Sequence, residues 1–514
     1  MISCNFDQGL IYYIAEELHM RYLYTGQDAR KIDDHATMIV GIPSMVLMER
    51  AAMSAAKLIM ERESRDRWIL AVCGTGNNGG DGVATARILH EMGYNVAVTI
   101  VGYPDSMSKE TKKQVEIAIG SHVPIIPMSS IHDREFDVVI DALFGIGLSR
   151  DVSDVYEDII ADIDDGDHYV YSLDIPSGIN SGNGAVMGIA LHAGTTITFG
   201  VNKLGLVLYP GCEYAGEVVV CDIGIPGSSA DSLTPPYFYY EPADIGKLLP
   251  FRKPRSHKGS FGHVLVVAGS KNMCGAAYLA ACAAFKSGAG MVKVISDPDN
   301  RDVIFTKLPE ALFGSYDDLE SELDWADVIV IGPGLGLEGD SQELVRFVVE
   351  NSPVPTVIDG DGIRLCRNVT SKLSENFIVT PHMKELSYLN GLSVEDILKE
   401  PVSAAYDTAM DIDGIVVAKD ARTIVSDGDS CYINVSGNNG MATAGSGDVL
   451  AGLIGGLLAQ GMLPFRAACL GVYIHGLAGD IMAQRLSRNS LMAGDLLTGI
   501  SEVIREGTIG DAQR

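Results

Sequence analysis

At 514 residues, with 47% hydrophobic and 20% charged side chains, the chain is long enough for two or more α/β domains with cores of their own. A formal net charge of −29 argues against nucleic acid or an anionic membrane as partner, although backbone N–H groups and a few Lys can still hold a phosphate inside a pocket. The nine Cys are scattered without C-x-x-C spacing, no apolar run reaches about 18 residues, and no basic leader opens the chain; this argues against a disulfide frame, a zinc ribbon, a membrane span and a secretory signal, and for reduced thiols in a cytoplasmic enzyme.

Residues 1–19 show little pattern, and Met20 reads as a more natural start, so the preceding stretch is expected to be an extension or a miscalled start. Ile42-Pro43-Ser44 opens a helix that Ser44 can cap, with Met48, Ala52, Ala55 and Ile59 at helical spacing. A strand at 68–73 runs into the glycine-rich turn 74–82, then into a helix carrying Ala84, Ile88 and Met92. Strand, glycine-rich turn, helix is the opening of a doubly wound sheet. The turn is not a clean dinucleotide fingerprint, because Asn77-Asn78 and Gly80-Asp81 have no place in G-x-G-x-x-G. Further strands are expected at 95–101, 137–141 and 169–175. Their C-terminal ends collect Asn78, Asp81, Asp141, Asp174 and Ser177. Ligands of an open parallel sheet bind at that edge, and hard oxygens suit an alkali or alkaline-earth cation. Each residue alone is explained as well by turn capping; the recurrence at three strand ends favours the cation.

A seam rich in Gly, Pro and Ser follows at 224–236, and a second α/β series begins at 262–270. Its Ala-rich helix (275–287) is expected to pack closely on a sheet. Strands at 327–331, 356–358, 377–379 and 415–418 end in Gly332-Pro333-Gly334-Leu335-Gly336, Asp359-Gly360-Asp361, Thr380-Pro381-His382 and Lys419. Residues 437–448 then form a glycine-rich loop ending in Gly445-Ser446-Gly447-Asp448, and Leu450, Leu453, Ile454, Leu457 and Leu458 mark one face of the helix behind it. Free N–H groups at a helix N-terminus make an anion site. Asp448 at its mouth can cap the helix or deprotonate a hydroxyl attacking a bound phosphate; capping does not need Gly445 and Gly447 as well, which favours the base. Lys419 can place a point charge on the phosphate, and His382 can donate to it, although a lone His is more often structural. These residues predict phosphoryl transfer from a nucleotide to a hydroxyl, without a P-loop.

The assembled motifs resemble a known family over nearly the whole chain. Residues 21–230 resemble the NAD(P)H-hydrate epimerase domain, a Rossmann-like three-layer sandwich, through Ile42–Ala51, Asn77-Asn78-Gly79-Gly80-Asp81-Gly82, Asp141–Leu148, Asp174–Gly178 and Thr198–Lys203. Residues 240–508 resemble the ADP-dependent NAD(P)H-hydrate dehydratase, with its ribokinase-like α/β fold, through His257-Lys258-Gly259, Gly332–Gly336, Thr380–His382 and Gly445–Asp448. The fused arrangement resembles the bifunctional repair enzymes of hydrated nicotinamide cofactors, and the class is therefore α/β with two domains.

The resemblance implies that the first domain interconverts R- and S-epimers of NADHX and NADPHX. It implies that the second phosphorylates the S-epimer's hydroxyl with ADP and Mg2+, then eliminates phosphate to restore NAD(P)H and leave AMP. By the same analogy Asn77, Asn78, Gly79, Gly80, Asp81, Gly145, Ile146, Gly147, Leu148, Ser149, Arg150, Asp151 and Asp174 contact the epimerase substrate. Asn78, Asp141 and Ser177 would hold a potassium ion. Asp174 is the candidate acid/base, with Lys203 as helper. In the second domain Ala276, Gly336, His382 and Asp448 would face the hydrate. Lys419, Asp420, Ala421, Arg422, Thr423 and Gly447 would hold the nucleotide, with Asp448 as base. A homo-oligomer is expected. The chain departs from the family pattern at Gly360, Gly362, Ile363 and Arg364, at Met383 and Lys384, and at Asp420. The competing reading is a ribokinase-like small-alcohol kinase fused to a non-catalytic ligand-binding domain.

Overall fold

The computed structural model describes residues 21–129, 135–231, 236–367, 369 and 372–511. The expected extension at 1–19 and part of the expected seam, 232–235, lie outside the described residues. The chain divides into two compact units, Tyr22–Pro235 and, counted together with Arg21, Pro236–Arg514.

In the first unit the strands are β1 (Arg21–Tyr24), β2 (Trp68–Cys73), β3 (Asn95–Ile100), β4 (Val138–Ala142), β5 (Tyr169–Leu173), β6 (Thr195–Phe199), β7 (Asn202–Lys203) and β8 (Glu217–Cys221). Six of them form a sheet in the order β3-β2-β4-β5-β6-β8, parallel throughout. β1 pairs in parallel with β7, Leu23 opposite Asn202. Both faces of the sheet are covered, so its strands are continuous apolar runs. Ile69, Ala71, Val98 and Ile140 face the helices Ser44–Arg62 and Asn77–Glu91, while Leu70, Val72 and Val139 face Ile159, Ile160 and Ile163 of Val155–Asp164. This is the expected three-layer sandwich. The chain leaves β2 in one direction to β3 and places β4 on its other side, so the sheet reverses order between β2 and β4 and opens a crevice at their carboxyl ends.

Ser44 does not cap its helix. Pro43 holds the cap position, and the Ser44 Oγ donates to Glu110 Oε1 at 2.8 Å; the fixed φ of proline starts the helix without a side-chain acceptor. The glycines after β2 are demanded by backbone contact. A Cβ on Gly79 would lie 1.8 Å from Gly74 O, and one on Gly74 would lie 2.1 Å from Leu143 O. Gly79→Ala is therefore expected to destabilise the first unit by about 1–3 kcal/mol or more, read as a lower denaturant midpoint.

The second unit has β9 (Tyr237–Tyr239), β10 (His263–Val267), β11 (Met291–Ile295), β12 (Leu312–Gly314), β13 (Val328–Ile331), β14 (Thr356–Ile358), β15 (Phe377–Val379), β16 (Ile415–Ala418), β17 (Ile424–Ser426) and β18 (Cys431–Ile433). Their order is β12-β11-β10-β13-β14-β15-β16-β17-β18-β9. The run from β12 to β16 is parallel, and β17 lies antiparallel to both of its neighbours. The Ala-rich helix Cys274–Lys286 packs most closely on the helix Ser446–Ala459, where a Cβ on Gly452 would lie 2.0 Å from Ala280 O. That contact ties the glycine-rich loop to the centre of the unit. Among the described residues no helix is long and apolar enough to cross a membrane, and no disulfide joins the eight cysteines.

Candidate active sites

In the second unit, β15 and β16 end side by side. Lys419 N donates to Pro381 O at 2.8 Å, so Lys419 and His382 are register partners. Lys419 Nζ lies 2.7 Å from Asp359 Oδ1, which also accepts from Thr380 Oγ1 at 2.6 Å. Asp359 is buried and anchors the ammonium beside the loop. A Cβ on Gly447 would sit 3.1 Å from that ammonium, so glycine leaves the loop amide and the cation adjacent. Gly445, at φ +92°, turns the chain into the helix beginning at Ser446.

Asp448 stands in the first turn of that helix, whose cap position is held by Gly445 and not by the carboxylate. Its carboxyl is pushed up to about 7, first by burial, then by Asp359 and Asp361, against the pull of Lys419. A carboxyl poised near neutrality is suited to take a proton. Beneath the loop, buried His475 donates from Nε2 to Ser446 O at 3.0 Å; burial pulls its imidazole down to about 4, so it holds the turn in the neutral form.

Asp448, Gly445, Ala276, His382 and Asp361 line one cavity of about 750 Å³. His382 Nδ1 accepts from the Lys384 and Glu385 amides at 3.1 and 3.2 Å. It therefore caps the helix Met383–Asn390 and carries its proton on Nε2. Gly336 lies off the wall but donates its N–H to Asp361 Oδ2 at 2.9 Å. Asp420, Ala421, Arg422 and Thr423 form the turn from β16 to β17, outside that cavity wall; Thr423 Oγ1 donates to Asp420 O at 3.2 Å.

In the first unit a cavity of about 680 Å³ is lined by Asn77, Asn78, Asp81, Gly145, Ile146, Gly147, Leu148, Ser149, Arg150, Asp174 and Lys203. Gly79, Gly80 and Asp151 are not on its wall; Gly79 and Gly80 serve close packing against Gly74, Met48 and Thr111. Asp174 has φ +70°, a conformation few non-glycine residues adopt. Its Oδ1 lies 2.6 Å from Lys203 Nζ, and its Oδ2 accepts from Ile146 N at 3.3 Å. Lys203 is 2% exposed and also donates to Thr198 Oγ1 and Phe199 O at 2.8 and 2.9 Å.

Two more carboxyls share this pocket. Burial first, then Asp174 and Asp33, push Asp81 well up. Asp33 is pushed up to about 6 by burial, with Lys203 opposing. Asp33 was not among the expected residues, because it arrives on the helix Gly26–Asp34, remote in sequence from every strand end. The expected cation ligands are partly gathered. Asp141 accepts from Ser177 Oγ (2.5 Å), Ser172 Oγ (2.8 Å), Ser177 N (2.9 Å) and Leu143 N (3.3 Å). Asn78 is buried, and neither its Oδ1 nor its Nδ2 has a hydrogen-bond partner. A buried amide left so is costly unless a ligand satisfies it. Among the described residues no three His, Cys, Asp or Glu side chains are grouped to hold a metal, so a cation here would need Asn, Ser or backbone oxygens beside the one carboxylate of Asp141.

The NAD(P)H-hydrate dehydratase family profile matches residues 264–502, and the profile of the YjeF-related protein N-terminus matches residues 44–205. A bifunctional NAD(P)H-hydrate repair enzyme of Thermofilum pendens is 35% identical, over 93% of this chain and 95% of its own. Its counterpart in Coxiella burnetii is 36% identical, over 93% of this chain and 98% of its own. A ribokinase-like superfamily protein of Enterococcus faecalis V583 superposes with a TM-score of 0.50 at 28% identity, covering 53% of this chain and 96% of that one. With both halves matched, in one order and over nearly the full length, the chain belongs to the family of bifunctional NAD(P)H-hydrate repair enzymes.

Proposed function

We propose that the chain restores hydrated nicotinamide cofactors, the first unit epimerising R- and S-NAD(P)HX and the second dehydrating the S-epimer at the expense of ADP. The observation that carries this reading is Asp448: a carboxyl poised near pH 7, not used as a cap, beside the Gly445–Gly447 amides and Lys419. In the proposed step Asp448 takes the proton of the substrate hydroxyl while its oxygen bonds to the β-phosphorus of ADP and AMP leaves. The C–O bond to phosphate then breaks with loss of a ring proton, restoring the double bond. Mg2+ would enter with the nucleotide, held mainly by its phosphates. Asp420–Thr423, next to Lys419 in the chain, are the proposed nucleotide contacts.

In the first unit Asn78 Oδ1, with Ser177 and the carboxylate of Asp141, fits a potassium ion; when bound it supplies a fixed positive charge near the substrate oxygens. Asp174 is the proposed acid/base, held by Lys203.

The test is incubation with ADP and separated R- and S-epimers, following absorbance of the reduced nicotinamide. Recovery from both supports the whole reading. No recovery, with stable phosphorylation of another alcohol, would replace it with the kinase reading.

The charge balance at Asp448 makes a second expectation. Repair of the S-epimer should rise with pH through a midpoint near 7, as the carboxyl ionises. Lys419 holds that midpoint down, so Lys419→Met should move it upward in a pH–rate profile, besides slowing turnover. An unmoved midpoint in the variant would show that another group titrates.

A further inference from the structure

Part of the wall of the second-unit cavity belongs to the helices Asp361–Arg367 and Met383–Asn390, which pack against each other. Arg367 fastens the two: its guanidinium donates to the carbonyls of Tyr388 and Leu389 and stands 5.3 Å from the Tyr388 ring centroid. From this fastened pair Arg364 and Lys384 both line the cavity, with exposed side chains. Among the described residues neither cation has an ion pair or a side-chain hydrogen bond.

The same cavity holds Asp361, Glu385 and Asp448, which would repel an anionic ligand unless cations answered them. The phosphates of ADP already have the Gly445–Gly447 amides and Lys419. The two cations therefore suit a different phosphate, and Tyr388, 42% exposed on the same wall, offers a face on which a planar ring can stack.

We infer that Arg364 and Lys384 clamp the phosphate arm of the dinucleotide substrate, with Tyr388 as the stacking face for one of its rings. This rests on the repair reading of the cavity and specifies how it selects a dinucleotide over a small alcohol. Arg364 supplies a fork that fits two phosphate oxygens, and Lys384 supplies a point charge. The phosphate is either the pyrophosphate, common to both cofactors, or the 2′-phosphate of NADPHX.

The test uses the full chain and Arg364→Gln/Lys384→Gln. Binding of NADPH and of NADH is followed by nicotinamide fluorescence, and KM is measured for S-NADPHX, S-NADHX and ADP. Binding to the first unit is common to parent and variant and cancels in the comparison. The clamp predicts about a tenfold weaker dinucleotide, the size of a lost charge-assisted contact, with the loss on KM more than on kcat and the KM for ADP little changed. An equal loss for both cofactors assigns the pyrophosphate; a loss for NADPH and S-NADPHX alone assigns the 2′-phosphate. Unchanged affinity for both dinucleotides, or a rise in the KM for ADP alone, overturns the clamp. The fluorescence arm does not need turnover, so a parent that binds NADPH but repairs nothing would sink the repair reading while still deciding the clamp.

Discussion

Asp448→Asn should lower turnover of S-NAD(P)HX by about 10²–10⁴-fold, the contribution of a positioned general base, while ADP affinity stays within about twofold. The amide keeps the size of the carboxyl, so the loop and its amides remain. Stability separates this role from capping. Burial raises the Asp448 carboxyl in the fold to about 7 from an ordinary 3.8. A group raised in this way contributes its full stability only below its unfolded pKa, and that contribution is lost as pH rises through the folded value. At pH 8 the parent therefore carries a buried, unfavourable charge that the Asn variant lacks, and the variant should melt at a higher temperature than the parent. At pH 4 the two should melt alike. A helix cap would respond differently: Asn caps about as well as Asp, so a capping role predicts near-parent stability for Asp448→Asn at both pH values and a loss of about 1 kcal/mol only for Asp448→Ala. The decisive pair of measurements is kcat at pH 7.5 and the melting temperature at pH 8: unchanged turnover in Asp448→Asn, with stability lost only in Asp448→Ala, would return Asp448 to a structural role.

Much of the candidate chemistry was legible because parallel sheets place it at strand ends. The apolar runs 68–73 and 356–358 could be little else than buried strands, and the polar residues following them had to meet at one edge. β6 was not legible, because Thr195, Thr196 and Thr198 look polar yet are fully buried. Each hydroxyl finds a partner: Arg62 and Tyr169 for Thr195, Ala215 O for Thr196, and Lys203 for Thr198. The partner of Lys419 was hidden for a related reason. Asp359 stood out at its own strand end, but only the pairing of β14 with β15 and β15 with β16 brings it within 2.7 Å. His475 sits within a helix of 23 residues and has no local signal; its meaning comes from the Ser446 carbonyl across the fold. Sequence pattern thus reached residues whose role follows from their own element and missed those defined by a partner on another.

The larger test of the first unit is Asp174, whose replacement should slow repair of the R-epimer to the rate of unaided epimerisation while the S-epimer is still repaired. The reasoning starts from its backbone. Asp174 is held at φ +70°, immediately after β5, where its carboxylate meets both Lys203 and the Ile146 amide. A strained conformation kept at a cavity wall points to a role in the cavity. Asp33 and Asp81 stand in the same pocket, both pushed up first by burial, Asp33 to about 6. The geometry thus sets a carboxylate paired with a buried ammonium beside two carboxyls whose environment favours the protonated form, the arrangement that divides acid from base. Removing Asp174 alone leaves Lys203, 2% exposed, without its carboxylate, a loss of about 3–5 kcal/mol for a buried pair. Asp174→Asn/Lys203→Met removes both charges and is the variant that keeps the fold in hand. Its S-epimer repair should match the parent's, reporting an intact second unit, and near-parent thermal stability should report an intact first one. R-epimer repair should then fall by about 10²-fold or more, to the rate at which the epimers interconvert without help. Parent-like repair of the R-epimer by this double variant would remove Asp174 from the chemistry and leave Asp33 and Asp81 as the groups to replace next.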